Sequence, residues 1–401
     1  MIPVPARVWL RRNLFRGWLD TVVTVVGGAI ALWLVWRLVR FVLVTGRWDV
    51  VRENLKLLLV GRYPDVHLPR VSVSLIVAAA VGGLLAGLVH RHQVAAGTSP
   101  AAGRSLGRWA ADLLARFWPA LVGAAVLLGL SESIGPWITA VGTLVAAVLG
   151  RVVGALLPGR LDPLVIAVAL LTPFGLVVYL ADATGWDGWG GVMLNVFLAI
   201  TSIILCFPLG VMAALGRRST LPVVRALSTG YIELFRGMPL FVLLLMANVA
   251  LGFFVPPDAA PGDVVRAIVV FTLFTAAYVA EIVRGGLQSL PGGQEEAARA
   301  LGLSPVSTTF LIVLPQALRN VIPAQVGQFI SLFKDTTLAG AAMGLFELLA
   351  VGQVITRQGE FAGQRLLPET LAFVGLLFWL GSYTMSRESQ RLERRLGVGT
   401  R

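Results

Sequence analysis

Charge is scarce in this chain. Of its 401 residues only 13% are Asp, Glu, Lys or Arg, while 57% are hydrophobic, a balance far from that of soluble globular domains. A large water-facing domain is thereby excluded, because each apolar run is followed within a few tens of residues by another. Lysine occurs twice, as Lys56 after Leu55 and Lys334 after Phe333. Neither sits in the Gly-x-x-x-x-Gly-Lys-Ser/Thr pattern of a phosphate-cradling loop. The single cysteine, Cys206, lies inside an apolar run, so an intramolecular disulfide is excluded and the thiol reads as a small packed hydrophobe. Histidine is limited to His67, His90 and His92. His90 and His92 have no carboxylate or thiol near them in the chain, no metal or catalytic constellation is formed, and a membrane enzyme has no candidate site.

What is present is a series of long apolar runs. Spans of about 20 residues are expected near 21–44, 71–90, 114–132, 137–157, 162–181, 190–215, 226–254, 264–283, 320–350 and 368–386, about ten in all. The first is too long for a signal-peptide core and lacks a small-residue cleavage pattern, so it is expected to stay as a span. The net charge of +12 comes largely from arginines between the runs, where the positive-inside rule expects cytoplasmic loops. That placement argues against a nucleic-acid face. Arg7, Arg11, Arg12 and Arg16 at one end, and Arg387, Arg391, Arg394, Arg395 and Arg401 at the other, put both termini in the cytoplasm, in agreement with an even number of spans. The loop 45–70 resists this scheme: it carries Arg47, Arg52, Lys56, Arg62 and Arg70, yet the count puts it outside. Trp186 and Trp189 are candidates for an interfacial anchor.

Composition shifts at "ATGWDGWGG" (Ala183 to Gly191). Before it the spans are built from Ala, Val, Leu and Gly, and this glycine content favours close helix approach. Beyond it, charged residues recur along the spans. The expected organisation is an N-terminal transmembrane extension of about five spans over 1–188, a second region over 189–390, and a basic tail over 391–401.

The longest polar island between spans is "EEAARALGLSPVSTTFLIVLP", Glu295 to Pro315, within a loop spanning 291–315. Gln294 to Leu301 are good helix formers, with Glu295 and Glu296 in the first turn, where acidic groups suit the helix dipole. Gly302 supplies a stop, and Ser304-Pro305 is an N-cap and first-turn pair that starts a second helix. Two short helices should therefore meet at a bend, with Ala297, Ala298 and Ala300 giving a low profile that a partner can approach. Pro315 should close the element.

Glu296-Ala297-Ala298, then Gly302, then Ile312-x-Leu314-Pro315 resemble the EAA loop of permease subunits of ABC importers. The flanking "YIELFRGMPL", "AAYVAEIVRGGLQSLPGG", "LPQALRNVIPAQ" and "FKDTTL" are similar to polar amino-acid uptake permeases, and "GRYPD" with the long extension resembles the general L-amino-acid subgroup. The resemblance covers about 190–386. It implies an all-α integral membrane protein of the bacterial inner membrane, whose last five spans form a type I ABC importer permease core. It also implies that the chain binds no cofactor and that ATP is hydrolysed by a partner ATPase dimer docked on Glu296, Ala297, Ala298, Gly302, Ile312, Leu314 and Pro315. A second permease subunit, the same or related, an extracytoplasmic substrate-binding protein and membrane lipid complete the implied partners. Solute would move by alternating access. The flexible "PGGQ" and the small "AGAAMG" after "DTTL" depart from the family pattern and leave the substrate open.

Charged residues in the spans are costly and mark function or pairing. Glu233 with Arg236 and Glu281 with Arg284 are three apart and can meet on one helix face, as gate or structural ion pairs. Lys334 and Asp335 are adjacent, about 100° apart on a helix, and cannot simply pair with each other. Asp335, Thr336 and Thr337, with Asn248 and Glu347, are the candidates for the substrate passage. Two rivals remain: an ion-coupled secondary carrier, which would account for Asp335 and Glu347 but not for the 296–315 spacing, and an ABC permease for a different small solute.

Overall fold

A computed structural model describes residues 13–95, 123–131, 135–186, 188–256 and 260–396. Of the arginines used above to orient the chain, Arg7, Arg11, Arg12 and Arg401 lie outside these residues, as does most of the expected span 114–132. The described residues are helical, with no strand and one isolated bridge between Gly191 and Glu347.

The chain forms two compact units, 1–50 and 51–401. The first contains α1 (Trp18–Arg40), prolonged by a π-helical turn, Phe41–Thr45. Every described side chain of α1 is at least partly exposed and most are apolar, the condition of a lone helix solvated by lipid. Arg37 and Arg40 near its end lie over the rings of Trp33 and Trp36, an aromatic and basic pairing suited to a membrane interface.

The second unit opens with α2 (Leu55–Val60), followed by α3 (Leu68–Ala95), α4 (Gly135–Leu156), α5 (Asp162–Thr184) and α6 (Gly191–Arg217). The expected close helix approach occurs between α3 and α4. Cβ atoms added to Gly83 and Gly87 would collide with the backbone at Ala147–Arg151 and Arg151–Ala155, and those added to Gly150 and Gly154 with the backbone at Ala80–Leu84. Glycines four apart on both helices let the backbones touch where any side chain would separate them. Both sets of contacts advance in the same direction, so α3 and α4 are parallel. Antiparallel to α3 runs α5: Arg70 binds Tyr179 O (2.9 Å) and Asp182 (3.2 Å) at one end, and Arg91 binds Leu157 O and Asp162 at the other. Asp162 also meets His92 at 2.7 Å. The carboxylate missing from the local sequence of His90 and His92 thus arrives from another helix.

Further on come α7 (Pro222–Gly237), α8 (Leu240–Val249), α9 (Asp263–Gln288), α10 (Gly293–Ala300), α11 (Leu314–Asp335), α12 (Leu338–Met343), α13 (Leu348–Val354) and α14 (Leu367–Leu396). The count of ten spans is approximate: among the described residues six helices are long and apolar enough to cross a bilayer, and a bent pair brings the number to seven. Two expected spans are broken. Residues 226–254 split into α7 and α8, bent by 99°, because Pro239 has no N–H to continue α7 and forces Met238 into extended backbone (ψ 140°). Residues 320–350 split where α11 stops at Asp335, and again where Gly344 takes a left-handed φ of +72°.

Two apolar clusters stack along the bundle. One joins Tyr63, Trp189, Leu194, Leu198, Phe271 and Leu332; the other joins Cys206, Ile232, Val279, Val283, Val313 and Ala317. Trp189 is 4% exposed and packs on Trp186 and Phe197, so it is a core residue and not an interfacial anchor. Tyr63 belongs to the same cluster, so residues of the extension pack inside the second unit and no compact unit ends at 188. Its hydroxyl donates to Leu180 O at 3.0 Å, and burial raises its phenol above the ordinary value, which keeps it a neutral donor. The loop 61–70 thus lies beside 179–191, at the end of the bundle opposite the loop 291–315. Its charges are matched locally: Lys56 meets Asp65 at 2.6 Å and Arg70 meets Asp182.

Candidate functional site

The polar island folds as its sequence suggests. Helix α10 carries Glu295 and Glu296 in its first turn. Gly302 has φ +79°, and the Leu303 N–H reaches back to Ala298 O at 3.1 Å, closing the helix with a left-handed residue. Ser304 accepts from Ser307 N–H at 3.1 Å and caps Pro305–Ser307, which passes through a π-helical stretch, Thr308–Val313, directly into α11. Pro315 therefore does not close the element: it sits in the first turn of α11, where its missing N–H costs nothing.

Exposure sorts the candidate residues. Glu296, Ala297, Gly302 and Pro315 face outward, Ile312 is half-buried, and Ala298 and Leu314 are buried. Ala298 is thus a packing residue and not part of an outer surface, because an eight-residue helix lying against the Thr308–Val313 segment must bury one of its faces. Beside Glu296 and Ala297 the exposed apolar side chains are Leu301, Val306, Phe310 and Leu311. The loop is tied to the bundle at two points: Arg218 binds Glu295 at 3.3 Å, and Gln316 donates to Gln294 at 3.3 Å. Between α10, the end of α9 and the α6–α7 corner is a cleft of about 220 Å³, lined by Arg218, Leu287, Leu290, Pro291, Glu295 and Val313.

Next to this loop the expected ion pairs form a single network. Glu281 accepts from Arg284 (2.8 Å), from Arg217 (2.7 Å) and from Arg236 (3.5 Å), and Arg217 also reaches Glu233 at 3.0 Å. The Glu281–Arg284 pair is as expected. Glu233 and Arg236 do not pair with each other, since each finds a closer opposite charge across a helix boundary. Arg217, at the end of α6, is the residue that joins α6, α7 and α9.

At the opposite end of the bundle the candidates for the passage separate. Thr336 and Glu347 are fully buried and meet at Asn195, whose amide donates to Thr336 Oγ1 (2.9 Å) and to Glu347 (3.2 Å) and whose carbonyl accepts from Leu348 N–H (2.9 Å). The Glu347 carboxylate caps α13, taking Leu349 N–H and Ala350 N–H at 2.8 Å each. The carboxylate thus accepts three hydrogen bonds in a site closed to solvent, and through Asn195 it is joined to Thr336. Asn248 is likewise engaged, donating to Ala342 O at 3.2 Å. Asp335 and Thr337 are half-buried at the break between α11 and α12, and Asp335 forms no hydrogen bond or ion pair among the described residues. Asn195 was missed in the sequence, although one amide within "GVMLNVFLAI" was a visible signal. No group of three or more metal-ligating side chains occurs among the described residues.

Comparison with known proteins places this architecture. Residues 206–398 match the family described as binding-protein-dependent transport system inner membrane component. The chain is 35% identical, over 98% of its length and 94% of the relative's, to a glutamate/glutamine/aspartate/asparagine transport system permease protein of Rhodobacter capsulatus. It is 44% identical to an inner membrane amino-acid ABC transporter permease protein of Escherichia coli, over 53% of this chain and 57% of that one. A solved amino acid ABC transporter is similar at 26% identity over 51% of this chain and 92% of that chain, with a TM-score of 0.46. The chain belongs to the permease family of amino-acid ABC importers, and it is a multi-pass membrane protein.

Proposed function

We propose that this chain conducts acidic and amide amino acids through the inner membrane, driven by ATP hydrolysed on a partner docked at α10. The loop geometry carries this reading. Glu296 and Ala297, with Leu301 and Val306, present an exposed acidic and apolar ridge on a short helix. That helix is anchored through Arg218–Glu295 to the corner joining α6 and α7. A push on α10 is thus delivered to the charge network at Glu281 and to three helices together. With two lysines and no phosphate-cradling loop, the chain depends on another subunit for ATP.

The substrate class rests on the Rhodobacter relative, named for glutamate, glutamine, aspartate and asparagine and matched along nearly its whole length. Asp335 and Thr337 at the α11–α12 break are the side chains assigned to the passage, where a free carboxylate suits the ammonium group of an amino acid. An extracytoplasmic binding protein delivers the solute, a second permease subunit completes the pathway, and alternating access moves it. Both termini and α10 face the cytoplasm; the loop 61–70 faces outward.

The test is purification of wild type and Glu296→Arg in mild detergent, with mass spectrometry of what accompanies each. An ATPase recovered with the wild type and lost with the variant is the expected result. No ATPase with either, from folded protein, would transfer the argument to an ion-coupled carrier.

A further inference from the structure

The segment Val51–Tyr63 precedes the conducting core by more than a hundred residues, yet it is buried in it. Val51, Leu58 and Tyr63 have no exposed surface. The contacts are backbone to backbone. Gly61, at φ +68°, lies directly against the Gly190 backbone, and Gly191, at φ +54°, against Leu58 O. A Cβ at Gly190 would stand 2.7 Å from Phe346 O and 2.8 Å from the Gly61 Cα, so three strands of backbone converge on a point with no room for a side chain. Gly191 N–H donates to Phe346 O at 3.0 Å, and the Arg62 guanidinium covers the Phe346 ring at 4.7 Å. Residue 346 directly precedes Glu347, whose carboxylate is held by Asn195, which in turn holds Thr336.

We infer that Val51–Tyr63 is a clasp of the extracytoplasmic end, a positioning element that fixes the α11–α12 break through Phe346, Glu347, Asn195 and Thr336. The inference rests on the proposed role of Asp335 and Thr337 in the passage. The chain of contacts is short and rigid: Arg62 and Gly61 set Phe346, the turn sets Glu347, and the Asn195 amide transfers that position to the residue between Asp335 and Thr337. Packed backbone with no intervening flexible side chain passes displacement on instead of absorbing it. The clasp touches neither α10 nor the Glu281 network, which lie at the other end of the bundle. It therefore acts on solute acceptance and leaves ATPase docking alone.

The experiment compares Arg62→Ala, Arg62→Lys and wild type in the assembled complex reconstituted in liposomes, with glutamate as the transported probe. Arg62→Ala is expected to raise KM for glutamate about twofold to fivefold, the effect of losing about 0.5–1 kcal/mol of ring contact, with unchanged basal ATPase and maximal rate. Arg62→Lys keeps a cation over the ring and restores most of the affinity. A second reading uses Thr337→Cys, in a chain whose native Cys206 is buried. Adding Gly61→Val, which forces the clasp off Gly190, is expected to speed labelling by a membrane-impermeant thiol reagent several-fold. Wild-type KM in Arg62→Ala, or unchanged labelling when Gly61→Val is added in folded protein, would overturn the inference. Basal ATPase in all samples keeps this outcome separate from failure of the importer reading, which would appear as no ATPase bound at all.

Discussion

Glu281→Gln is the most informative perturbation of the network beside the loop 291–315. The carboxylate is 15% exposed and accepts from three guanidinia, those of Arg284, Arg217 and Arg236. With Glu233 included, the wild-type network sets three positive charges against two negative ones. The amide keeps the shape but removes one negative charge, so three arginines face one carboxylate. Removing one partner of a buried pair costs about 3–5 kcal/mol. Here the three arginine side chains are 27–36% exposed, so water recovers part of that, and about 2–3 kcal/mol remains. For a chain of this size the loss corresponds to an apparent Tm lowered by about 2–4 °C, read from tryptophan fluorescence in detergent at one fixed heating rate. A double-mutant cycle makes the reasoning sharper. Arg284 has Gln288 as its other side-chain partner, so removing its charge relieves repulsion once Glu281 is neutral. Arg284→Gln should therefore cost clearly less in the Glu281→Gln background than in wild type, with a coupling of about 1–2 kcal/mol. Additive losses, or a Tm unchanged by Glu281→Gln, would refute the claim that these charges act as one network.

The remaining predictions concern the helix pair and the passage. Gly87→Val should drive α3 from α4, because the new Cβ would stand 2.7 Å from Ala155 N, at a cost of about 1–3 kcal/mol; the assay is surviving folded yield after heating, and wild-type yield would contradict the backbone contact. Asp335→Asn should lower glutamate uptake about tenfold or more while ATPase still co-purifies, since the charge, not the fold, is removed; normal affinity and rate would take Asp335 out of the passage.

Much of the loop 291–315 was legible because its signals are local. Acidic residues in the first turn of α10, Gly302 at a left-handed stop and the Ser304-Pro305 cap each act within a few residues of themselves, through dihedral preference and the unpaired ends of helices. The broken helix at Pro239 was equally visible in the sequence, but the length of the apolar run outweighed it, and a continuous span was expected. Local pairing rules failed where a charge had a choice of partners. Glu233 and Arg236 are three apart and could have met, yet Arg217 and Glu281 lie closer in space.

The sequence by itself determined that this is a helical membrane protein with a helix–bend–helix loop at 291–315 and no lysine in a Gly-x-x-x-x-Gly-Lys-Ser/Thr pattern. Composition, span length and capping chemistry are properties of a chain read a few residues at a time. Only the tertiary structure decided that Ala298 is a packing residue, that Glu347 caps a helix, and that Gly61 sits on Gly190. Each of these depends on which distant backbone occupies the neighbouring space, and the free energy of burying a carboxylate or removing a Cβ is set by those neighbours.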